Sequence, residues 1–440
     1  MDDSTERAHA VVSKVTWRLV PLLFLCYIIA YVDRINVGFA GLQLQAAFHV
    51  DEKKYSGIYW LGSGMFFIGY FIFEVPSNLI LHRIGARLWI ARIMVVWGFV
   101  SSAMLFIKTP VDFYVLRFLL GAAEAGFFPG VILFLTYWFR ERDRARTVAL
   151  FATAGTLAGV FNSPIAGSLL GLDGVCGWAG WQWLFLLEGL PAVLIGFVVL
   201  AVLPDKPQQV RWLSPAEKEW LGAELARDQA APQAASPHRL REVFTSGRVW
   251  LLCLLYFLLN VSGYGYEMWM PQIIKGFSKL NDFQVGLVNA IPYLVAAVCM
   301  VLAGRHSDRT GERRWHVALA AFAGAAGFVA SALAGSWSPM LALAALAVAF
   351  AGIKAMIGPF WALATASLSG TAAAGGIAWI NSVGNLGGSA GSATVGYVKE
   401  ATGGYAGALV ALGAALLVLG CLALTLRVYQ APGDTQTREN

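Results

Sequence analysis

The chain has 440 residues, 58% of them hydrophobic and 13% charged, with 32 Lys and Arg against 26 Asp and Glu. A mean hydropathy of +0.63 lies well outside the range of soluble domains and excludes that class, leaving a polytopic membrane protein. The net charge of +6 is accounted for by arginines in short loops rather than by a basic face for nucleic acid, and the 47 glycines suit close helix packing in lipid.

Residues 1–16 are polar and run into a long apolar segment without a small-residue cleavage site, so the first helix is expected to be retained. Cutting the apolar runs at charged or turn-rich breaks predicts helices near 17–40, 55–80, 88–107, 111–137, 147–171 and 182–203. Six more follow near 248–272, 283–304, 315–335, 339–365, 374–398 and 404–427. The expected fold is an all-α membrane protein with twelve transmembrane helices in two sets of six, residues 1–203 and 247–440, joined by a linker at 204–246.

Orientation follows from the positive residues in short loops. Arg83, Arg87, Arg140, Arg142, Arg144, Arg146, Arg305, Arg309, Arg313 and Arg314 share one side, while the other carries only lysines, Lys53, Lys54, Lys108, Lys275, Lys279 and Lys399. The arginine-rich side is expected to be cytoplasmic, with both termini and the linker on it. Within the linker, Ser214-Pro215 followed by Glu217 and Glu219 predicts a short helix on the membrane surface, ended by Pro232 and Pro237. Cys26, Cys253, Cys299 and Cys421 fall in apolar segments and Cys176 has no partner on its side, so neither a disulfide nor a zinc site is expected.

The first apolar segment contains Tyr31-Val32-Asp33-Arg34-Ile35-Asn36. Arg34 lies about 15 residues beyond Arg18, which is roughly 22 Å into a hydrocarbon core about 30 Å thick. An ionised side chain there costs a few kcal/mol at least, about 2.5 to 3.5 on insertion scales, and is usually kept for a task. A guanidinium stays charged and can hold a carboxylate through two parallel hydrogen bonds, so Arg34 is a candidate anion ligand; equally, it could be an internal partner for Asp33 or Glu124. Arg117 stands two helical turns before Glu124 on the same face, an arrangement that suits a structural or gate ion pair. Lys354 falls near the middle of the tenth helix, where it could meet a second carboxylate of a ligand or pair with an acid such as Glu267. Asn381 and Asn385, one turn apart, need polar partners in lipid, either a ligand or a neighbouring helix. Glu74 and Glu188 lie closer to helix ends and are expected to serve packing or gating.

A loop recurs in both halves: His82-Arg83-Ile84-Gly85-Ala86-Arg87 and Asp308-Arg309-Thr310-Gly311-Glu312-Arg313-Arg314. Arginines after a helix C-terminus offset its dipole and glycine permits the turn, so the loop is either a gate latch between the halves or only a topology signal. It resembles the loop signature of the major facilitator superfamily, with Asn78 and His82 departing from the usual Gly and Asp in the first copy. The runs Asp33 to Ala40, Tyr70-Phe71-Ile72-Phe73-Glu74-Val75-Pro76-Ser77-Asn78, Arg117 to Gly130, Trp181 to Gly189 and Gly375 to Gly388 resemble the anion:cation symporter branch, bacterial permeases for tartrate, phthalate and sugar acids.

This resemblance covers nearly the whole chain. It implies two pseudo-symmetric six-helix bundles in the cell inner membrane that act as a monomer to import a small organic carboxylate with protons, without a cofactor. It implies carboxylate binding by Arg34, protonation of Asp33 and Glu124, and ligand contact by Tyr70; Tyr31, Trp361, Asn381, Asn385 and Lys354 join as pocket candidates. Thr156 stands where sugar-acid members carry glutamine, which implies a different or less hydroxylated ligand. Arg117, Arg83, Arg87, Asp308 and Arg309 are gating candidates. Export or exchange remains open from sequence, since direction follows gradients; a signalling receptor lacks its soluble domain, and no nucleophile, metal or phosphate-loop motif suggests an enzyme.

Overall fold

The computed structural model describes residues 3–230, 245–366 and 371–426, so Pro232 and Pro237 lie outside the described residues, as do the side chains of His82, Arg142, Arg144 and Arg146. The first half comprises α1 (Asp3–Phe48), α2 (Glu52–Ile84), α3 (Ala86–Ala103), α4 (Pro110–Glu124), α5 (Phe127–Thr136), α6 (Glu141–Leu170) and α7 (Gly180–Val202). After α8 (Pro215–Ala230) the second half runs through α9 (Gly247–Phe277), α10 (Asp282–Thr310), α11 (Arg314–Ala334), α12 (Pro339–Ala355), α13 (Ile357–Ala366), α14 (Thr371–Thr402) and α15 (Ala406–Thr425). With α4–α5 and α12–α13 each forming one broken span, these make two sets of six spans in matching order.

Helix starts follow their local chemistry. The Asp51 side chain accepts from Lys54 N at 2.8 Å to begin α2, Thr109 and Asp112 form a reciprocal capping box before α4, and Asn281 and Gln284 do the same for α10. Ten spans are long and apolar enough to cross a membrane by themselves among the described residues. The other two of the expected twelve, α6 and α14, pack between the halves. A Cβ on Gly159 would meet the Tyr293 ring at 2.0 Å, and one on Gly388 would meet Phe67 at 2.3 Å. Small residues on these helices let the halves approach.

The close approaches between halves cluster on the side opposite the arginine-rich loops. There α6 meets α10 where a Cβ on Gly286 would lie 2.4 Å from the Ser163 carbonyl, and α2 meets α14 where Ser56 donates to the Gly396 carbonyl at 3.1 Å. Asn289 of α10 donates to Ser163 Oγ at 2.9 Å. The molecule is therefore closed on the lysine-bearing side.

The predicted linker helix is α8, opened by reciprocal hydrogen bonds between Ser214 and Glu217. It docks on the first half: Lys14 of α1 meets Glu217 at 2.9 Å, Arg140 meets Glu224 at 3.2 Å, and the Arg140 guanidinium lies over the Trp220 ring.

Candidate functional site

Asp33 and Arg34 are consecutive on α1 and so point about 100° apart. Asp33, with no exposed surface, turns into the first half, where its carboxylate accepts from Trp97 Nε1 at 2.8 Å and Ser101 Oγ at 2.6 Å on α3, and more weakly from Asn36 at 3.4 Å. Arg34 turns toward the second half. Its Nη2 is ion-paired with Glu124, the last residue of α4, and its Nη1 donates to the Tyr264 hydroxyl of α9 at 2.8 Å. The guanidinium rests over the rings of Phe66 and Tyr70, 5.4 and 5.3 Å from their centroids, a placement that supplies cation–π attraction in a desolvated site.

Glu124 is aimed by a break in the span. Gly126 has φ of 87°, and a Cβ there would also fall 2.3 Å from Ser77 Oγ. Glycine is needed twice over, for the left-handed turn and for the approach to α2.

A second buried ion pair lies in the other half. Lys354, one residue before the end of α12, reaches Glu267 of α9 at 2.9 Å, the acid partner that the sequence allowed for it. The hydroxyl of Tyr31, one turn before Arg34 on α1, sits between them: it lies 2.9 Å from both Glu267 carboxylate oxygens and accepts from Lys354 Nζ at 2.9 Å.

The remaining candidates are divided. Tyr70 is buried beneath Arg34, and buried Thr156 contacts Met300 Sδ of α10 at 3.7 Å. Trp361 packs on Tyr256, and Asn385 is buried on α14. Asn381 donates to Glu74 at 2.8 Å and Ser382 to the same carboxylate at 2.5 Å, so Glu74 ties α2 to α14 across the halves. Glu188 is buried beside the side-chain amides of Asn36 and Asn162.

Two expectations differ from the geometry. Arg117 forms no ion pair with Glu124: two turns of helix place them about 10 Å apart along the axis, and Arg34 occupies that acid. Fully buried Arg117 instead stacks over Phe66 at 4.9 Å, its guanidinium nitrogens without hydrogen-bond partners among the described residues. Among the described residues, the side-chain contacts of the repeated loops lie inside their own halves, with no latch between the halves. Arg87 Nε donates to the Leu200 carbonyl at 2.8 Å, Asp308 pairs with Arg313 at 2.7 Å, and Arg83 and Arg309 are exposed.

Tyr264, Trp97 and Ser101 were not singled out from sequence. A signal for Tyr264 exists, since Tyr-x-x-Arg at Tyr31 and Arg34 is matched by Tyr-x-x-Glu at Tyr264 and Glu267 in the equivalent helix.

Two six-span halves closed on one side, each with a buried ion pair partway along its spans, are the architecture of a secondary transporter rather than an enzyme. The chain belongs to the Major Facilitator Superfamily, whose profile matches residues 23–392. It is 46% identical to a protein of Agrobacterium vitis named as a tartrate transporter, over 97% of this chain and 93% of that one. It is 44% identical to the metabolite transport protein NicT of Pseudomonas putida, over 95% and 94% of the two chains. Its fold resembles the Escherichia coli xylose transporter XylE in a partially occluded inward open conformation, with a TM-score of 0.75 at 15% identity over 94% of this chain and 98% of that one.

Proposed function

We propose that this protein imports a small organic carboxylate together with protons, by rocking residues 1–203 against residues 247–440 about a central site. The buried Arg34 carries the proposal: it is a permanent cation near mid-membrane whose only ionic partner among the described residues is the displaceable carboxylate of Glu124. A cargo carboxylate takes the guanidinium through paired hydrogen bonds, with Tyr31, Tyr70, Thr156, Trp361, Asn381, Asn385 and Lys354 shaping the rest of the site. The name of the Agrobacterium vitis relative supports a carboxylate cargo.

Glu124, once displaced, is neutralised by a proton rather than left as an isolated buried charge. Asp33, held by two strong neutral donors and in no ion pair among the described residues, is the second proton carrier. Moving one negative charge inward costs about 2.3 kcal/mol per 100 mV of inside-negative potential, so two protons per monoanion give a cycle driven by that potential. Arg117 and the loops bearing Arg83, Arg87, Asp308 and Arg309 serve as gates that engage when the opposite side opens. The arginine-rich side is cytoplasmic, with both termini on it, and the protein works as a monomer in the cell inner membrane.

Purified protein in proteoliposomes is expected to accumulate a radiolabelled carboxylate when an inward proton gradient is imposed, and to lose accumulation when a protonophore collapses it. Uptake indifferent to the proton gradient, with obligatory exchange of internal carboxylate, would overturn symport.

A further inference from the structure

The two buried ion pairs are related by the pseudo-twofold order of the spans. Arg34 on α1 pairs with Glu124 at the end of α4, beside the break in the fourth span. Glu267 on α9, the equivalent of α1, pairs with Lys354 near the end of α12, beside the break in the tenth span. The position that is cationic in one half is anionic in the other. The tyrosines preserve the symmetry: Tyr31 reaches Glu267 and Tyr264 reaches Arg34, each three residues before the charged residue of its own helix. This is the reciprocal contact pattern of an isologous interface.

In both pairs the cation is the outer member. The side chains of Arg34 and Lys354 are 8% and 7% accessible against 2% and 1% for Glu124 and Glu267. The more accessible member of each pair is therefore a cation, one on each half, with the acids more deeply buried. That order favours a ligand with two acidic groups over one carrying an acid and an ammonium, which would have to displace a cation to reach a glutamate.

We infer that Lys354 is a second anion anchor and Glu267 a further proton carrier, so that the cargo is a dicarboxylate held between the halves by Arg34 and Lys354. The inference rests on the carboxylate transport proposed above. Empty, the four groups sum to zero charge. Loaded, two cations balance two cargo carboxylates, and each displaced glutamate carries one proton, so the sum is again zero. None of these four charges is left unpaired in either state. The other titratable side chains around Glu267 are Tyr264, Tyr266 and Tyr293 besides Tyr31, all poor proton acceptors, which leaves the glutamate as the group that takes the proton. Because each tyrosine bonds the charge of the opposite half, occupancy by a dianion exchanges the empty clasp for one made through the cargo.

The test compares acids that differ by one carboxylate, tartrate against threonate and phthalate against benzoate, by equilibrium binding in detergent and by proteoliposome uptake. The wild type is expected to prefer each diacid about tenfold or more. In Lys354→Met with Glu267→Gln, a neutral pair that avoids a lone buried acid, that preference ratio is expected to collapse toward one, whereas Lys354→Arg keeps it. Glu267→Gln alone lowers the proton-to-diacid ratio by one, from the three that Asp33, Glu124 and Glu267 supply, so that uptake driven by inside-negative voltage in the wild type becomes electroneutral and insensitive to it. Unchanged preference in the neutral pair, an unchanged proton ratio in Glu267→Gln, or preference for aspartate over tartrate would each overturn the inference. Monoacid transport without diacid preference in the wild type would sink it while leaving carboxylate symport intact; binding of none of these acids would remove both.

Discussion

Arg34 Nη1 donates to the Tyr264 hydroxyl at 2.8 Å, a hydrogen bond between helices of different halves made by the same guanidinium that is ion-paired to Glu124. The group proposed to bind the cargo anion is thereby also a joint between the two halves. A cargo that takes the guanidinium competes with contacts inside one half and across to the other, which is how binding acquires leverage over conformation.

Arg34→Lys keeps the charge but loses the planar fork and the second nitrogen that reaches Tyr264. Carboxylate affinity is expected to fall about 10- to 100-fold. Thermal-shift titration of the purified variant measures it, and undiminished affinity would show that paired hydrogen bonding at Arg34 is not used.

Asp33→Asn preserves the volume and one acceptor for Trp97 and Ser101 while removing a titratable site. Carboxylate exchange across the membrane is expected to persist, but the accumulation ceiling falls by roughly 50-fold per 100 mV of proton-motive force, the equivalent of about 2.3 kcal/mol for one proton. Counterflow and proton-driven uptake measured side by side separate the two; equal loss of both would assign Asp33 to structure.

Gly286→Val places methyl groups where even a Cβ would lie 2.4 Å from the Ser163 carbonyl. Each half keeps its own packing, but the lysine-bearing side cannot close. Transport is expected to fall by roughly tenfold or more, with faster alkylation of a cysteine introduced at Asn289. Normal closure, read as slow alkylation, would contradict the contact map between α6 and α10.

Docking of α8 depends on two carboxylates outside the membrane. Backbone N–H donation at Ser214 and the Lys14 ammonium hold Glu217 below the usual carboxylate range, and Arg140 does the same for Glu224. Depressed folded-state values mean that this stabilisation is fully present above about 4.5, the ordinary glutamate value, and is lost as pH falls through the lower folded-state values. Hydrogen exchange across residues 215–230, corrected for its intrinsic pH dependence, should stay slow between pH 5 and 7 and rise at lower pH; Arg140→Ala should raise it already at pH 7. No difference between the variant and the parent would place the docking energy elsewhere.

Much of the architecture is legible in sequence because lipid imposes it. Every spanning segment must satisfy its backbone internally, so apolar runs of about 20 residues become helices, and charged loops set their order. The α6 and α14 spans, which pack between the halves, were found with the rest by cutting the apolar runs at charged or turn-rich breaks. The costly charges were equally visible: Asp33, Arg34, Glu124 and Lys354 stand out because lipid tolerates so few.

What sequence alone determined, then, is the membrane class, the twelve spans and the set of buried charges, all consequences of solvation that act residue by residue. Partner choice was decided only by tertiary structure. That Glu124 answers Arg34 and not Arg117, that Lys354 answers Glu267, and that Tyr31 and Tyr264 cross between the halves depends on which helix faces meet. Helical spacing orders side chains along one span but carries no information about the neighbour it is packed against, and every one of these contacts joins residues at least 87 positions apart in the chain, the separation of Glu267 and Lys354.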